Sequence, residues 1–334
     1  MPDTIYTALD PVDRAILDTV LYYDLLNYPL TWVELQQYLC PCGTQGLRID
    51  QLRERAFALA AQGFLGTADD YIFLYGRGAL VERRELDQAV DRRLWKRART
   101  FFDRFRWVPF VRMVAVSGSL ALNRSTAGSD IDIFIVAQEG RIWLVRALCV
   151  FIARIWGLYR SESQVAGRLC LNHFVTDEAL TLDHQNQYTA RLFSHLVPGY
   201  GLDVYHQFQR ANLWVCGYVP SYPWDNYPPF EVRESRGPVS CFRRLGEMLL
   251  KGRIGRYLET AVKHYQLRRI NRDERRFDER AQIVLSDQLL RFHLQAQEPV
   301  MLARFDSARA VMASAFTNSG TADTLETGNT KAEV

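Results

Sequence analysis

Apolar residues in the middle of the chain form two short runs that predict neighbouring strands. Met113–Val116 and Ile131–Val136 are each bounded by Gly, Ser or Asp, which is typical of a buried strand. Between them, a Gly-Ser turn opens a short predicted helix over residues 120–124. Since side chains alternate along a strand, Asp130 and Asp132 are expected on one face. The pattern predicts two carboxylates in one small volume beside a turn.

The first 80 residues have a helical period followed by strand-like runs. A helix begins at Pro11, a capping box at Thr31–Glu34 opens a second helix, and a third is predicted over Ile49–Ala61. A hairpin follows, with Tyr71–Leu74 as its second strand and the acidic pair 69–70 at its tip. This order predicts a winged-helix-like domain over residues 1–80.

The rest of the chain is predicted to contain one mixed α/β layer and many helices. We expect a charged connecting helix over 81–108, an α/β (α+β) mixed-sheet core over 109–180, a helical C-terminal region over 181–316 and a disordered tail over 317–334. The helices predicted within the C-terminal region are Thr189–Leu196, Asp203–Val215, Cys241–Asn271 and Gln282–Ala313.

Composition is that of an ordinary globular protein. The 334 residues are 48% hydrophobic and 24% charged, and the net charge of +3 makes no strong prediction about nucleic acid. Six scattered cysteines form no disulfide or zinc framework, which favours a cytoplasmic protein. The most apolar stretch, 142–159, is interrupted by Arg146 and Arg154, so we expect a buried helix there and no membrane partner.

Paired carboxylates beside a Gly-Ser turn suit magnesium and phosphate. Two carboxylates at such a short distance repel each other unless a divalent cation lies between them. Mg²⁺ typically takes one or two protein carboxylates together with phosphate oxygens. Gly118 gives a phosphate room to approach, and the Ser119 hydroxyl can donate a hydrogen bond to it. The sequence therefore predicts Asp130 and Asp132 as Mg²⁺ ligands beside a nucleoside triphosphate.

This pattern resembles the signature of the DNA polymerase beta-like nucleotidyltransferase superfamily. The matching residues are an apolar strand, Gly118-Ser119, ten intervening residues and the pair Asp130 and Asp132, about 25 residues of 334. The resemblance implies a nucleotidyltransferase core in which the turn, together with Ser129, binds the triphosphate and the paired Asp residues act in catalysis through Mg²⁺. It implies transfer of a nucleoside monophosphate, with ATP among the candidate donors, to a small molecule, a protein or an RNA end.

One departure from the superfamily pattern concerns a third carboxylate on a later strand. The corresponding run, 167–175, contains no Asp or Glu, and Asn172 is the candidate for the third catalytic position. Its amide has no charge and cannot act as a base. His173 is expected on the opposite face as a buried core residue. The missing carboxylate could instead come from elsewhere, and the candidates are Glu139, Glu162 and Asp177.

Three alternatives stay open on the sequence alone. Without a third carboxylate, the protein is either a weakened enzyme or a nucleotide-binding or regulatory protein without turnover. A winged-helix DNA-binding regulator is possible but not favoured, because acidic residues offset the basic ones of the third helix and lie at the hairpin tip. An ordinary turn followed by a solvated Asp132 is disfavoured by the apolar residues that flank this Asp.

Overall fold

The computed structural model describes residues 9–43, 46–161, 163–232, 237–278, 281–293 and 297–326. In these residues the chain forms eleven α-helices, a three-stranded antiparallel sheet and a six-stranded mixed sheet. They divide into two compact units. The first contains the residues up to 84, with 216–222 and the chain from 297 onward, and the second contains 85–215 and 223–296 as far as they are described.

The first unit begins with the helices and hairpin that the sequence predicts. Asp10 accepts the N–H of Val12 at 2.8 Å and caps the first helix. The capping box at Thr31 and Glu34 is present in both directions. The elements are α1 Pro11–Asp24, β1 Leu30–Thr31, α2 Trp32–Tyr38, α3 Ile49–Ala61, β2 Leu65–Ala68 and β3 Tyr71–Leu74. The hairpin and the short extra strand β1 form a sheet in the order β1-β3-β2.

A long helix, α4 Ala79–Phe105, precedes the larger sheet. The elements that follow it are β4 Val111–Ser117, α5 Gly118–Ala121, β5 Ile131–Ala137, α6 Ile142–Ile155, β6 Leu169–Thr176, α7 Gln187–Ser194, β7 Val197–Tyr200, α8 Leu202–Ala211, α9 Pro238–Leu250, α10 Arg253–Ile270, β8 Gln282–Leu285 and β9 Leu289–His293. The sheet has the order β7-β4-β5-β6-β9-β8, in which β5 and β6 run parallel and the other neighbours are antiparallel.

The central strand β5 is buried on both of its faces. Ile131, Ile133 and Ile135 pack into the same core cluster as residues of α6. Phe134 and Val136 face the opposite cluster, to which α7 and α8 contribute. A strand covered on both faces is expected to be a nearly continuous apolar run. An exception in such a run, such as Asp132, therefore stands out in the structure as it does in the sequence.

The predicted helix over Gln282–Ala313 is wrong in its first part. Residues 282–293 form the β8–β9 hairpin, in which the Ser286 hydroxyl accepts the N–H groups of Gln288 and Leu289 in the turn. The hairpin pairs with the edge of β6, a partner far away in the chain. Strand β7 is a second departure from the predicted helical region, and the predicted helix over Cys241–Asn271 divides into α9 and α10.

The last described helix, α11 Glu298–Glu326, belongs to the first unit. Phe305 packs edge-on against Tyr22 of α1, with ring centroids 5.8 Å apart. The sequence predicts a disordered tail from residue 317, whereas the backbone is helical as far as Glu326, and residues 327–334 lie outside the described residues. Among the described helices, none is long and apolar enough to cross a membrane.

Candidate functional site

The candidate site lies where β4 ends and β5 begins. Ser117, the last residue of β4, is paired across the ladder with Asp132 on β5. The next residue, Gly118, has φ of 68°, and a Cβ built on it would lie 2.5 Å from Oδ2 of Asp132. Both the backbone conformation and the space therefore require glycine here. The turn predicted to bind phosphate packs directly against a carboxylate predicted to bind metal.

Asp130 and Asp132 occupy one small volume, as the alternation along the strand predicts. One carboxylate oxygen of each, together with Sγ of Cys170, lie within 4.8 Å of one another. Cys170 is the β6 residue paired with Asp132 in the parallel ladder. In the described part of the chain, the third member of this cluster is therefore a thiol rather than a carboxylate.

Arg160 supplies the nearest positive charge. Its Nη1 lies 2.7 Å from Oδ2 of Asp130 and donates a second hydrogen bond to Sγ of Cys170 at 3.3 Å. The Asp130 side chain is 19% exposed and the Arg160 side chain 46%, so the pair lies at the mouth of the site. The Arg160 guanidinium thus contacts a cluster that contains two carboxylates.

The electrostatics of the cluster show a shortage of positive charge. Burial and then the neighbouring charge of Asp130 raise the pKa of Asp132 to about 7, although Asn172, Cys170 and Arg160 act in the opposite direction. Burial and the two carboxylates also raise the pKa of the Cys170 thiol. A carboxylate with such a pKa is costly to ionise where it lies. A further cation would stabilise its charged form.

Asn172 lies on the site face of β6, as predicted, but its amide nitrogen faces the carboxylate. Nδ2 donates to Oδ1 of Asp132 at 3.1 Å. The amide therefore holds Asp132 in place and does not present its oxygen to this carboxylate. His173 is 6% exposed and packs edge-on against Phe134 at 4.9 Å, which confirms it as a buried core histidine. Its predicted position on the opposite face is wrong: Phe134 shares the face of Asp132, and the register shifts between these two residues, so that His173 follows Asn172 on the same side.

The two predicted nucleotide-binding serines differ in their surroundings. Ser119 is half-buried in the first turn of α5, directly after Gly118. Ser129 forms hydrogen bonds within the neighbouring loops: its Oγ accepts the N–H of Thr126 at 2.9 Å, and its carbonyl accepts the N–H of Gly167 at 2.7 Å. Ser129 therefore shapes the approach to Asp130, and Ser119 is the hydroxyl available beside the turn.

The alternative carboxylates do not complete the site. Glu139 and Asp177 follow the far ends of β5 and β6, where the N–H of Glu139 donates to Asp177 at 2.8 Å. Glu139 is seven positions beyond Asp132 along the chain, a span of about 20 Å at the usual rise of a strand. Glu162 lies outside the described residues.

Sequence reasoning missed Arg160 and Cys170. Cys170 had a usable signal, because it lies two residues before Asn172 and so shares its face of the strand. Arg160 had none, because its place is determined by the parallel bridge between Tyr159 and Leu169, a contact that no local pattern shows.

The donor set fits a hard divalent cation through its two carboxylates. Mg²⁺ takes oxygen ligands and commonly only one or two of them from the protein, so Asp130 and Asp132 meet its requirement. Cys170 adds no ligand that Mg²⁺ prefers.

Comparison of the chain with protein-family models, curated proteins and solved structures finds no significant match. A fold class by itself does not define a reaction. The function therefore has to be inferred from the side chains of the site.

Proposed function

We propose that the protein is a magnesium-dependent nucleotidyltransferase, which moves a nucleoside monophosphate from a nucleoside triphosphate to an acceptor hydroxyl or phosphate. The observation that carries this proposal is the placement of Asp130 and Asp132 side by side, packed against the Gly118 turn and with Arg160 in contact with Asp130. On this proposal the mixed sheet is a nucleotidyltransferase core and the first unit contains a winged-helix-like domain.

Each site residue has a role that its surroundings support. Asp130 and Asp132 would hold Mg²⁺, whose charge supports the triphosphate and the leaving pyrophosphate. Asn172 positions Asp132 through its amide hydrogen bond. The N–H groups of a helix's first turn have no partner inside the helix, so the Gly118-Ser119 turn offers donors to phosphate oxygens. Arg160, half-exposed at the mouth, can exchange Asp130 for a phosphate.

A second candidate is a nucleotide-binding regulator without turnover. It is favoured by the cluster itself, whose third described member is the Cys170 thiol, and by Asn172, an amide that donates to Asp132. Neither side chain, in these surroundings, offers a base for the attacking hydroxyl. Both candidates require nucleotide and Mg²⁺ at the same place, and they differ only in transfer.

Calorimetric titration of each nucleoside triphosphate with Mg²⁺ tests the shared site. We expect Mg²⁺-dependent binding by the wild type and its loss in Asp130→Asn/Asp132→Asn, whose side chains keep their size. The matched control is Glu139→Gln/Asp203→Asn, which removes two exposed carboxylates elsewhere in the same unit. Absence of binding by the wild type, or equal binding by the double variant, would contradict the proposal.

The Asn172→Asp variant separates the enzyme from the regulator. A weakened enzyme should gain transferase activity, measured as pyrophosphate release, because the variant restores a third carboxylate beside Asp132. Asn172→Ala removes the amide donor without adding charge and should not gain activity. Unchanged pyrophosphate release by Asn172→Asp would show that this residue takes no part in transfer, and it would favour the regulator.

The geometry of the first unit gives little support to a DNA-binding regulator. Arg55 pairs with Asp10 and Asp13 at 2.7 Å, and Arg53 lies 3.6 Å from Asp70 at the hairpin tip. Basic residues of the third helix are thus engaged by acidic neighbours. We expect the full chain to show no salt-dependent binding to a labelled duplex by fluorescence anisotropy.

A further inference from the structure

Two consecutive helices of the second unit, α9 and α10, expose an unusual number of large apolar side chains. Within residues 242–257, six large apolar side chains are at least half exposed, from 50% for Leu245 to 74% for Tyr257. We call this surface the α9–α10 face. Its apolar members are Phe242, Leu245, Met248, Leu249, Ile254 and Tyr257.

The geometry of α9 shows that this exposure follows one side of a helix. Residues three, six and seven positions after Phe242 lie on the same side, which places four apolar residues in one stripe. The packed side of α9 lies next to this stripe: Val239 is buried, a Cβ on Gly246 would contact Pro109 at 3.5 Å, and Glu247 accepts the N–H of Phe110. Helix α9 therefore has apolar side chains on its solvent-facing side, where a surface helix usually has polar ones.

In the same segment, the acidic side chains face the protein and several basic side chains face solvent. Residues 238–260 are all described, and their two carboxylates are both turned toward the protein. Glu247 accepts the N–H of Phe110 and a hydrogen bond from Arg112, and Glu259 accepts two N–H groups at the start of α6. The exposed charged residues of the segment are Arg244, Lys251, Arg253 and Arg256.

The connection between the two helices is firmly held. Arg141 donates to the carbonyls of Leu250 and Lys251 at 3.2 and 3.1 Å, and so satisfies the C-terminal end of α9. Trp107, 38% exposed, packs edge-on against Phe242 at 5.8 Å and extends the apolar area. The α9–α10 face is therefore a built surface rather than a frayed segment.

We propose that the α9–α10 face binds the surface of an anionic lipid bilayer. Exposed apolar side chains in a segment whose exposed charges are all basic match acyl chains beneath anionic headgroups. Tryptophan and tyrosine are also favoured at that depth. Nucleic acid would match the charges but gain nothing from Leu, Met and Ile. The sequence predicts no membrane partner, and none of the described helices could span a bilayer, but contact with a membrane surface requires no spanning segment.

Vesicle flotation of the full chain tests this proposal. The probes are vesicles of phosphatidylcholine alone and vesicles with about one-third phosphatidylglycerol. We expect the protein to float with the anionic vesicles and to stay behind with the neutral ones. Leu245→Ser/Leu249→Ser and Arg244→Gln/Arg253→Gln should each lower the bound fraction at least tenfold at limiting lipid. All four positions are exposed, so the variants should fold as the wild type does by circular dichroism.

Matched controls carry the same kinds of substitution elsewhere. Leu86→Ser/Val311→Ser and Arg92→Gln/Arg93→Gln also alter exposed side chains and should float like the wild type. Failure of the wild type to float, equal flotation with neutral vesicles, or undiminished flotation of the α9–α10 variants would overturn the proposal. So would a dimer in light scattering that disappears in the apolar variant, because the face would then be covered by a second copy.

Discussion

Two carboxylates in this molecule are held away from water in opposite electrostatic conditions. Glu34, in the first unit, forms a two-point ion pair with Arg84 at 2.7 and 2.8 Å and accepts the Tyr28 hydroxyl. Asp132, in the second, has Asp130 beside it, and their nearest arginine contacts Asp130. Burial acts to raise the pKa of both.

The outcome differs because only one of the two is compensated. At Glu34, the hydrogen bonds and charge of Arg84 outweigh burial, and the pKa lies below its usual value. At Asp132, burial and Asp130 prevail, and the pKa rises to about 7. A buried charge that is satisfied by its neighbours has a structural role, whereas one left short of positive charge is a candidate for function.

The largest effect should come from breaking the compensated pair. Arg84→Gln leaves the Glu34 charge without its partner among residues that are little exposed, and it also removes the guanidinium from the Tyr28 ring, 4.1 Å away. We expect a loss of about 3–5 kcal/mol in the free energy of unfolding. Urea unfolding followed by circular dichroism measures this loss. Arg92→Gln on the same helix, at an exposed position, should change it by less than about 0.5 kcal/mol.

Matched carboxylate-to-amide changes should have opposite signs at the two sites. Glu34→Gln should destabilise the protein by about 2 kcal/mol, because it weakens hydrogen bonds to a charged partner. Asp132→Asn should stabilise the metal-free protein by about 1–3 kcal/mol, because it removes a charge that is costly in the folded state. The measurement is urea unfolding in a chelator. If both variants are destabilised alike, Asp132 is not short of positive charge.

The pH dependence should sharpen the contrast. The pKa of Asp132 is higher in the folded state than in the unfolded state. The stability that its bound proton contributes to the fold is therefore lost as pH rises through about 7. The excess stability of Asp132→Asn over the wild type should therefore shrink by about 2 kcal/mol between about pH 8 and pH 5.5. The pKa of Glu34 is lowered on folding, so its contribution is complete above about pH 4.5 and is lost only below it. The effect of Glu34→Gln should stay constant over the same range.

A smaller effect concerns the turn that contacts Asp132. Gly118→Ala places a methyl group against the Asp132 carboxylate at a positive φ, so it should cost about 1–2 kcal/mol and weaken Mg²⁺-nucleotide binding. Gly128→Ala is the matched control: a Cβ there meets nothing within 4 Å. Equal effects of the two variants on nucleotide binding would show that the contact between the turn and the carboxylate is unimportant for the site.

The parts of the fold that could be predicted are those with local signals. The capping box at Thr31, the proline at the start of α1 and the apolar alternation of β4 and β5 all depend on neighbours within a few residues. The β8–β9 hairpin could not be predicted, since its strand character comes from the edge of β6. Within the site, the carboxylate pair followed from strand alternation.

The remaining site residues depend on contacts between distant parts of the chain. Cys170 lies beside Asp132 because of the parallel register between β5 and β6, and Arg160 is placed by the chain that returns to β6. The orientation of the Asn172 amide follows from the carboxylate that it faces. A single sequence shows residue types and local periodicity. The positions of these three residues depend on how the strands pair in the folded sheet, so the sequence alone does not predict them.

The most direct test of the metal site is a crystal structure of the full chain with Mn²⁺ and a non-hydrolysable nucleoside triphosphate, recorded at a wavelength that gives an anomalous Mn signal. Mn²⁺ substitutes for Mg²⁺ because both prefer oxygen ligands. The account predicts an anomalous peak in contact with Asp130 and Asp132, with phosphate at the Gly118-Ser119 turn and Arg160 moved away from Asp130. Nucleotide bound elsewhere, or no peak between the carboxylates while Arg160 still holds Asp130, would contradict it.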